Sequence, residues 1–181
     1  MNSPVGPLNA AGMLSIDHRE LYREIRNFLL GLFPEASRQV VQAIQNNQPL
    51  PVNAIVMQIL FSRNMDESVT TYTNPAPWIE GAAHVQNSVD TRLQLSFYGD
   101  KAQERSRVVY TLWKNHYGTE NMVVCQPLYV NSYDRRPYIN DANQYEDRWI
   151  LDVALQYNPQ VTYAQDFAES AGVTITPVAG A

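Results

Sequence analysis

The chain has 181 residues, 45% hydrophobic and 17% charged, with a formal net charge of −5, which suits one domain with a proper core and leaves two cramped. That balance excludes a protein that grips nucleic-acid phosphates over its whole surface, since such grip needs a basic face. The single cysteine, Cys125, excludes an intrachain disulfide, and no stretch approaches the ~18 consecutive apolar residues of a membrane helix.

Residues 1–14 carry Pro4, Gly6, Pro7 and Gly12 without periodicity and read as a flexible N-terminal arm. They lack a basic leader followed by an apolar run, so the expectation is a soluble protein made in a cytoplasm. A helix is predicted from Asp17, which caps it with Glu20 three residues on, and Leu21, Ile25, Phe28, Leu29 and Leu32 form its inner face. Gly31 and Pro34 mark its end. The segment ASRQVVQAIQNNQPLPVN reads as a short helix or as a strand entering a turn at Asn46–Pro51, and the β-branched Val40 and Val41 favour the extended form. NAIVMQILFSR is apolar on both faces, which predicts a central strand covered on both sides.

A polar, β-prone patch and a Pro/Gly-interrupted loop follow. From residue 84 to 98, Val85, Val89, Leu93, Leu95 and Phe97 alternate with Gln86, Asp90, Arg92, Gln94 and Ser96, predicting one long half-exposed strand ended by Gly99. Asp100 is the expected cap of a second helix, with Ala102, Val108 or Val109, Leu112 and Trp113 inward and Gly118 as its stop. Pro127–Tyr133 reads as a short strand, DRRPYIND as a charged turn, and QYEDRWILDVALQ (144–156) as a strand with an apolar odd face and a polar even face. Two later segments, VTYAQDFAES and VTITPV, read as edge or docking pieces. The order predicts an α+β domain over residues 15–170, a mostly antiparallel sheet flanked by two main α-helices, with 171–181 as a C-terminal tail.

Chemistry is sparse. His18, His84 and His116 fall in three different elements, and no zinc spacing, phosphate-cradling glycine loop or nucleophile elbow is present. Cys125 follows apolar residues and reads as a buried, inert thiol. Glu146 and Asp147 are neighbours on a strand and point to opposite faces, so they cannot form an acid/base pair with each other. Asp147, on the apolar side, needs an arginine partner. The expectation is a protein that is not an enzyme and takes no metal or cofactor. One alternative stays open: a small soluble enzyme or ligand-binding domain using the charged cluster around Glu146, with Asp141 and Arg135 beside a pocket. Eleven tyrosines, three tryptophans and five phenylalanines fit subunit contacts, although tyrosine equally suits a sheet.

Four strings taken together resemble the bacteriophage neck or tail terminator proteins: LYREIRNFLLGLFP, VVQAIQNNQPLPVNAIVMQIL, RLQLSFYGDKAQERSRVVYTLW and RPYINDANQYEDRWILDVALQYNPQVTYAQDFAES. The resemblance spans about residues 19 to 170, leaving the first 14 residues and 171–181 outside it. QYEDRW, followed by ALQYNPQVT and QDFA, is its most specific part. It implies a structural virion protein at the neck/tail junction, assembled in the host cytoplasm. It implies a ring, commonly a homohexamer, that caps the tail tube and joins it to neck or connector proteins. A sheath protein is a further partner in that frame, and DNA passes through the channel without sequence-specific binding. The family's interface positions do not transfer residue by residue. The polar strand faces instead nominate Arg92, Gln94, Tyr98, Glu146, Arg148 and Asp152 as subunit or partner contacts, and the charged turn nominates Arg135, Arg136 and Tyr138.

Overall fold

The computed structural model describes residues 14–43, 49–73, 81–139 and 145–165. Helix α1 (His18–Leu32) forms as its sequence dictates: the Asp17 carboxylate accepts from the Glu20 amide at 2.9 Å, and Leu21, Ile25, Phe28 and Leu29 are buried. A 3-10 turn, Pro34–Ala36, leads into the short strand β1 (Val40–Gln42), so the extended reading of Val40 and Val41 holds. The remaining elements are β2 (Ile55–Asn64), β3 (Val69–Thr73), β4 (Ala82–Gln86), β5 (Val89–Tyr98), α2 (Ala102–Trp113), α3 (His116–Glu120), β6 (Gln126–Arg135), β7 (Tyr138–Ile139), β8 (Tyr145–Glu146), β9 (Arg148–Tyr157) and β10 (Gln160–Ala164). They build a five-stranded sheet in the order β1-β2-β5-β9-β6, a three-stranded sheet β10-β4-β3 and the small pair β7-β8. Every pairing is antiparallel except β1 with β2. The class is α+β with antiparallel sheets dominant, as the order of elements requires.

The core lies between the helices and one face of the large sheet. It joins Leu21, Ile25, Phe28 and Leu29 of α1 to Val109 and Trp113 of α2, and to Leu93, Leu95, Phe97, Leu151, Val153 and Leu155 of β5 and β9. Trp113 is fully buried, meets Phe28 edge-on at 5.9 Å, and satisfies its indole N–H on the Ala154 carbonyl at 3.1 Å.

Several sequence expectations are corrected. The apolar segment 53–63 is not a central strand covered on both sides. β5 and β9 hold the middle, and β2 is buried only at Ile55 and Met57, leaving Leu60 43% and Phe61 52% exposed. A bulge between Ile59 and Phe61 shifts the register there and carries the following side chains to the other face. The predicted strand 84–98 is two strands broken at Asn87–Ser88. Its second part is not half-exposed, because Asp90, Thr91 and Ser96 are buried with the apolar residues. Lys101, not Asp100, precedes α2, without a side-chain cap. That helix stops at Trp113, five residues short of Gly118, which instead sits inside α3 where a Cβ would overlap the Trp113 carbonyl oxygen. β6 runs to Arg135, so DRRPYIND begins in one strand and contains β7; Asn140 and Asp141 lie outside the described residues.

The inner face of α2 also carries a charge. Arg105 is 4% exposed and donates to Glu35 at 2.9 Å, to the Gln39 side chain at 2.8 Å and to the Asn53 carbonyl at 2.9 Å, with its guanidinium 5.6 Å from the Phe33 ring. One cation thus ties α2 to the 3-10 turn and to the entry of β2. Both terminal nitrogens of Arg105 are met, while its Nε has no hydrogen-bond partner among the described residues, and a buried charge of this kind depends on its ion pair. Arg105→Ala should lower the unfolding free energy by about 3 kcal/mol in urea titration. Glu35→Gln, at an exposed position, should cost far less, because solvent screens that side of the pair. A loss below about 1 kcal/mol for Arg105→Ala would show that the clamp is not structural.

Candidate subunit and partner interface

Alternation along β5 and β9 divides their side chains between two surfaces. Val89, Thr91, Leu93, Leu95 and Phe97 stand opposite Tyr157, Leu155, Val153, Leu151 and Trp149 beneath the helices. Asp90, Arg92, Gln94, Ser96 and Tyr98 stand opposite Gln156, Ala154, Asp152, Ile150 and Arg148 on the reverse face. Five nominated residues, Arg92, Gln94, Tyr98, Arg148 and Asp152, therefore share one surface.

Lateral bonds knit that surface. Arg63 pairs with the Asp90 carboxylate at 2.9 Å, and Arg92 lies 3.8 Å from the same oxygen. Arg92 also donates to the Tyr129 hydroxyl and lies 4.7 Å over the Tyr129 ring. Asp152 accepts from Gln94 at 3.0 Å and from Ser132 at 3.1 Å. Arg148 donates to Ser96 at 3.1 Å and lies 5.3 Å over the Tyr98 ring. Tyr98 meets Tyr138 edge-on at 5.1 Å, and the Tyr138 hydroxyl donates to Glu146 at 3.4 Å. Seven of the nine nominated residues thus fall into three bonded groups: one around Arg92, one joining Gln94 to Asp152, and one running from Arg148 through Tyr98 and Tyr138 to Glu146. Arg135 and Arg136 stand apart. Arg135 pairs with Asp147 at 2.7 Å, supplying the arginine that Asp147 was expected to need, and Arg136 makes a loose exposed pair with Asp134 at 3.5 Å.

Not every donor in the patch is met. Arg92 Nε and Nη1, Arg148 Nε and Asp90 Oδ1 are enclosed and have no hydrogen-bond partner among the described residues. Buried polar atoms of this kind are costly unless something supplies a partner.

Beside the patch an open cleft of about 560 Å³ is lined by Leu50, Val52, Tyr98, Tyr138, Tyr145 and Glu146. A second, of about 390 Å³, shares Leu50 and Tyr98 with it and reaches Val56, Gln58 and Arg148. Two of the three carboxylates at the first cleft are engaged. Glu146 accepts from Tyr138, and Asp147 from Arg135 and from the Trp149 indole at 3.4 Å. Asp141, the third acid of the alternative reading, lies outside the described residues. Among the described residues no group of three or more His, Cys, Asp or Glu side chains is arranged to hold a metal. The histidines have structural company: His84 sits between Thr73 and Thr162 at 2.9 Å each, and His116 faces Glu120 at 2.9 Å.

Sequence reasoning missed Arg63, Tyr129 and Ser132 as members of this surface. The bulge in β2 turns Arg63 to the Asp90 side, and two register shifts in β6 carry Tyr129 to Arg92. No local pattern announces either. Asp90 was legible as an even-numbered polar position, but its depth was not.

A family model described as phage neck terminator protein matches residues 19–178. It takes in the whole patch and reaches into the segment 171–181 that had been read as a tail. Among curated proteins none matches the chain.

Cys125 is 2% exposed, and burial, with Glu24 adding to it, pushes its thiol up to about 12. A maleimide at pH 8 should therefore leave the native protein unlabelled and react stoichiometrically once urea unfolds it. Fast labelling of the folded chain would refute an inert thiol.

Proposed function

The chain belongs to the phage neck terminator family, and on that premise we propose that it forms a ring that caps the tail tube and joins it to the neck proteins of the virion. The family is one of structural, non-enzymatic virion proteins whose members are neck components. The ring, its partners and its channel are the reading offered here.

One observation carries it. The face of the large sheet turned away from the helices holds polar side chains fixed by bonds across strands, Asp152 with Gln94 and Ser132, and Arg148 with Ser96. A polar surface fixed in this way suits a neighbouring subunit, since opposite charges fix register and exclude wrong partners. Arg92, Gln94, Arg148 and Asp152 are the contacts we assign to that neighbour. The aromatic cleft at Tyr98 and Tyr138, with Arg135 and Arg136 beside it, is the surface we assign to tube or connector. A hexamer is the stoichiometry this reading favours, in a contact that closes after a fixed number of copies. The net charge of −5 suits a channel through which DNA slides without capture. The segments 1–14 and 171–181 are left to contacts made on assembly, and a sheath protein is a further partner.

Native mass measurement and class-averaged electron micrographs, with and without isolated tail tubes, test the proposal. A ring of defined mass, or a monomer that forms one on tubes, is the expected result. A protein that stays monomeric at high concentration and ignores tubes would overturn it. Arg148→Glu should weaken ring association roughly tenfold or more, whereas Arg23→Glu, exposed on the helical side, should leave it unchanged.

A further inference from the structure

Val123, in the loop that joins α3 to β6, is 87% exposed between two residues that are not. Met122 and Cys125 are 1% and 2% exposed, and both belong to the main hydrophobic cluster. The backbone between them is fixed from a second element. One carboxylate oxygen of Glu24 in α1 accepts from the Val123 amide and, at 3.2 Å, from the Val124 amide. Successive amides turned toward one point make a nest for an anion, and here the fold supplies the anion itself. An exposed valine alone needs no account. This one cannot roll inward, because Met122 and Cys125 fill the core on either side and Glu24 holds the chain between them. It is a rigid apolar knob. Glu120 is the only formally charged side chain from 116 to 125 with His116 neutral, so the knob has Glu24 and Glu120 as an acidic border.

The reverse face of the large sheet carries the complementary chemistry. In one row across it, Phe61 of β2 stands opposite Arg92 of β5, and Arg92 opposite Ala154 of β9. Tyr129 of β6 completes the row, with its hydroxyl on Arg92 and the Arg92 guanidinium 4.7 Å from its ring. Phe61 is 52% and Tyr129 42% exposed, so two half-open rings flank a guanidinium. Two residues along β2, the Arg63 side chain is 62% exposed, while the Asp90 carboxylate that it pairs with is only 3% exposed. The charge this row offers outward is therefore positive. Rings beside a fixed arginine are the residue types that dominate contact energies.

We propose that Val123 of one subunit docks on the Phe61–Arg92–Tyr129 row of the next, with its acidic border toward Arg63. The occupant is a second copy because the two surfaces match in charge, acidic against basic, and in apolar content. They also lie on opposite sides of the subunit: α1 and the loop it clamps belong to the covered side of the sheet, the row to the reverse side. A patch on one side that fits a different patch on the other makes a heterologous contact, the kind that closes into a ring. The contact rests on the ring reading above and names what the neighbour brings to the reverse face. Arg23 lies about 100° round α1 from Glu24 and stays outside it.

Neither surface has to reorganise on docking. The knob is held by Glu24, and Arg92 is held by Tyr129 on one side and lies 3.8 Å from Asp90 on the other. Surfaces ordered beforehand lose less freedom on association. Glu24 is thus a positioning residue first, and its charge adds to that of Glu120 across the contact.

Two variants, Val123→Cys and Phe61→Cys, test it with the buried Cys125 left in place. Phe61→Cys subunits carrying a mass tag are mixed with untagged Val123→Cys subunits, assembled free or on tail tubes, and oxidised mildly. Each chain has one added thiol, so a disulfide between tagged and untagged chains joins two copies. The mixed disulfide is the expected main product on a non-reducing gel. Val123→Lys changes a side chain that is 87% exposed. It should leave the far-ultraviolet spectrum and melting temperature of the subunit in place and weaken association roughly tenfold or more. A ring of normal mass that gives no mixed disulfide and is undisturbed by Val123→Lys would overturn this contact while leaving the ring to another surface. A main product joining two Val123→Cys chains would overturn it too, since that brings like to like. Absence of any ring, free or on tubes, would overturn the ring reading and this contact with it.

Discussion

Two helices can cover only one side of a five-stranded sheet, and the other features of this molecule follow from that inequality. The covered side takes the odd-numbered residues of β5 and β9, the Phe28–Trp113 contact and the full depth of the core. The reverse side still has to exist, because a strand cannot present one face without the other. A purely apolar reverse side would aggregate, and a purely solvated one would need no interior. Here it is filled with side chains that bond one another across strands: Arg63 with Asp90, Gln94 with Asp152, Arg148 with Ser96. The result is a surface stiff enough to be recognised and polar enough to stay in water.

Stiffness on that face depends on the strand order beneath it, and the order is held by a cation on the helical side. Arg105 reaches Glu35, Gln39 and the Asn53 carbonyl, three points drawn from the 3-10 turn, the approach to β1 and the entry of β2. Next to it, Asn53 at φ 56° and Gly99 at φ +82° turn the chain into β2 and out of β5, and a side chain on Gly99 would strike Asn53. Glu35 is held below the usual carboxylate range by a backbone hydrogen bond and then by Arg105. The contribution of that pair is accordingly complete above the ordinary carboxylate value and fades as pH falls through the lowered one. The anchor is thus fully in place at neutral pH.

What the sequence disclosed was whatever local chemistry decides. Asp17 caps α1 because its carboxylate is three residues from a free amide. The face Leu21, Ile25, Phe28, Leu29 is buried because a helix repeats every 3.6 residues. The polar face of β9 was readable residue by residue, and Gln94, Arg148 and Asp152 could be named from period alone. Features that depend on distant partners were not readable. Arg105 looks like a solvent-facing helical arginine until Glu35, Gln39 and Asn53, 70, 66 and 52 positions earlier, arrive to receive it. Leu60 and Phe61 look like core until a bulge and the end of helical cover leave them exposed. The break at Asn87–Ser88 carries no glycine or proline, so the alternation of 84–98 read as one strand where there are two.

The same break separates the strands that carry the core from three that lie outside it. Had β2, β5 and β9 run on without interruption, their apolar rows would have stayed in register with the helical layer and demanded more helix to cover them. All three strands break at one level, over 65–68, 87–88 and 158–159, and the main hydrophobic cluster holds no residue of the strands beyond it. Beyond it, among the described residues, the arm formed by β3, β4 and β10 lies outside the main hydrophobic cluster, and Ala83 alone of its residues is fully buried. A subunit meant to live alone gains nothing from such an arm, since three strands of five residues are marginal by themselves. A subunit whose final surroundings include copies of itself gains a way to be soluble first and joined later.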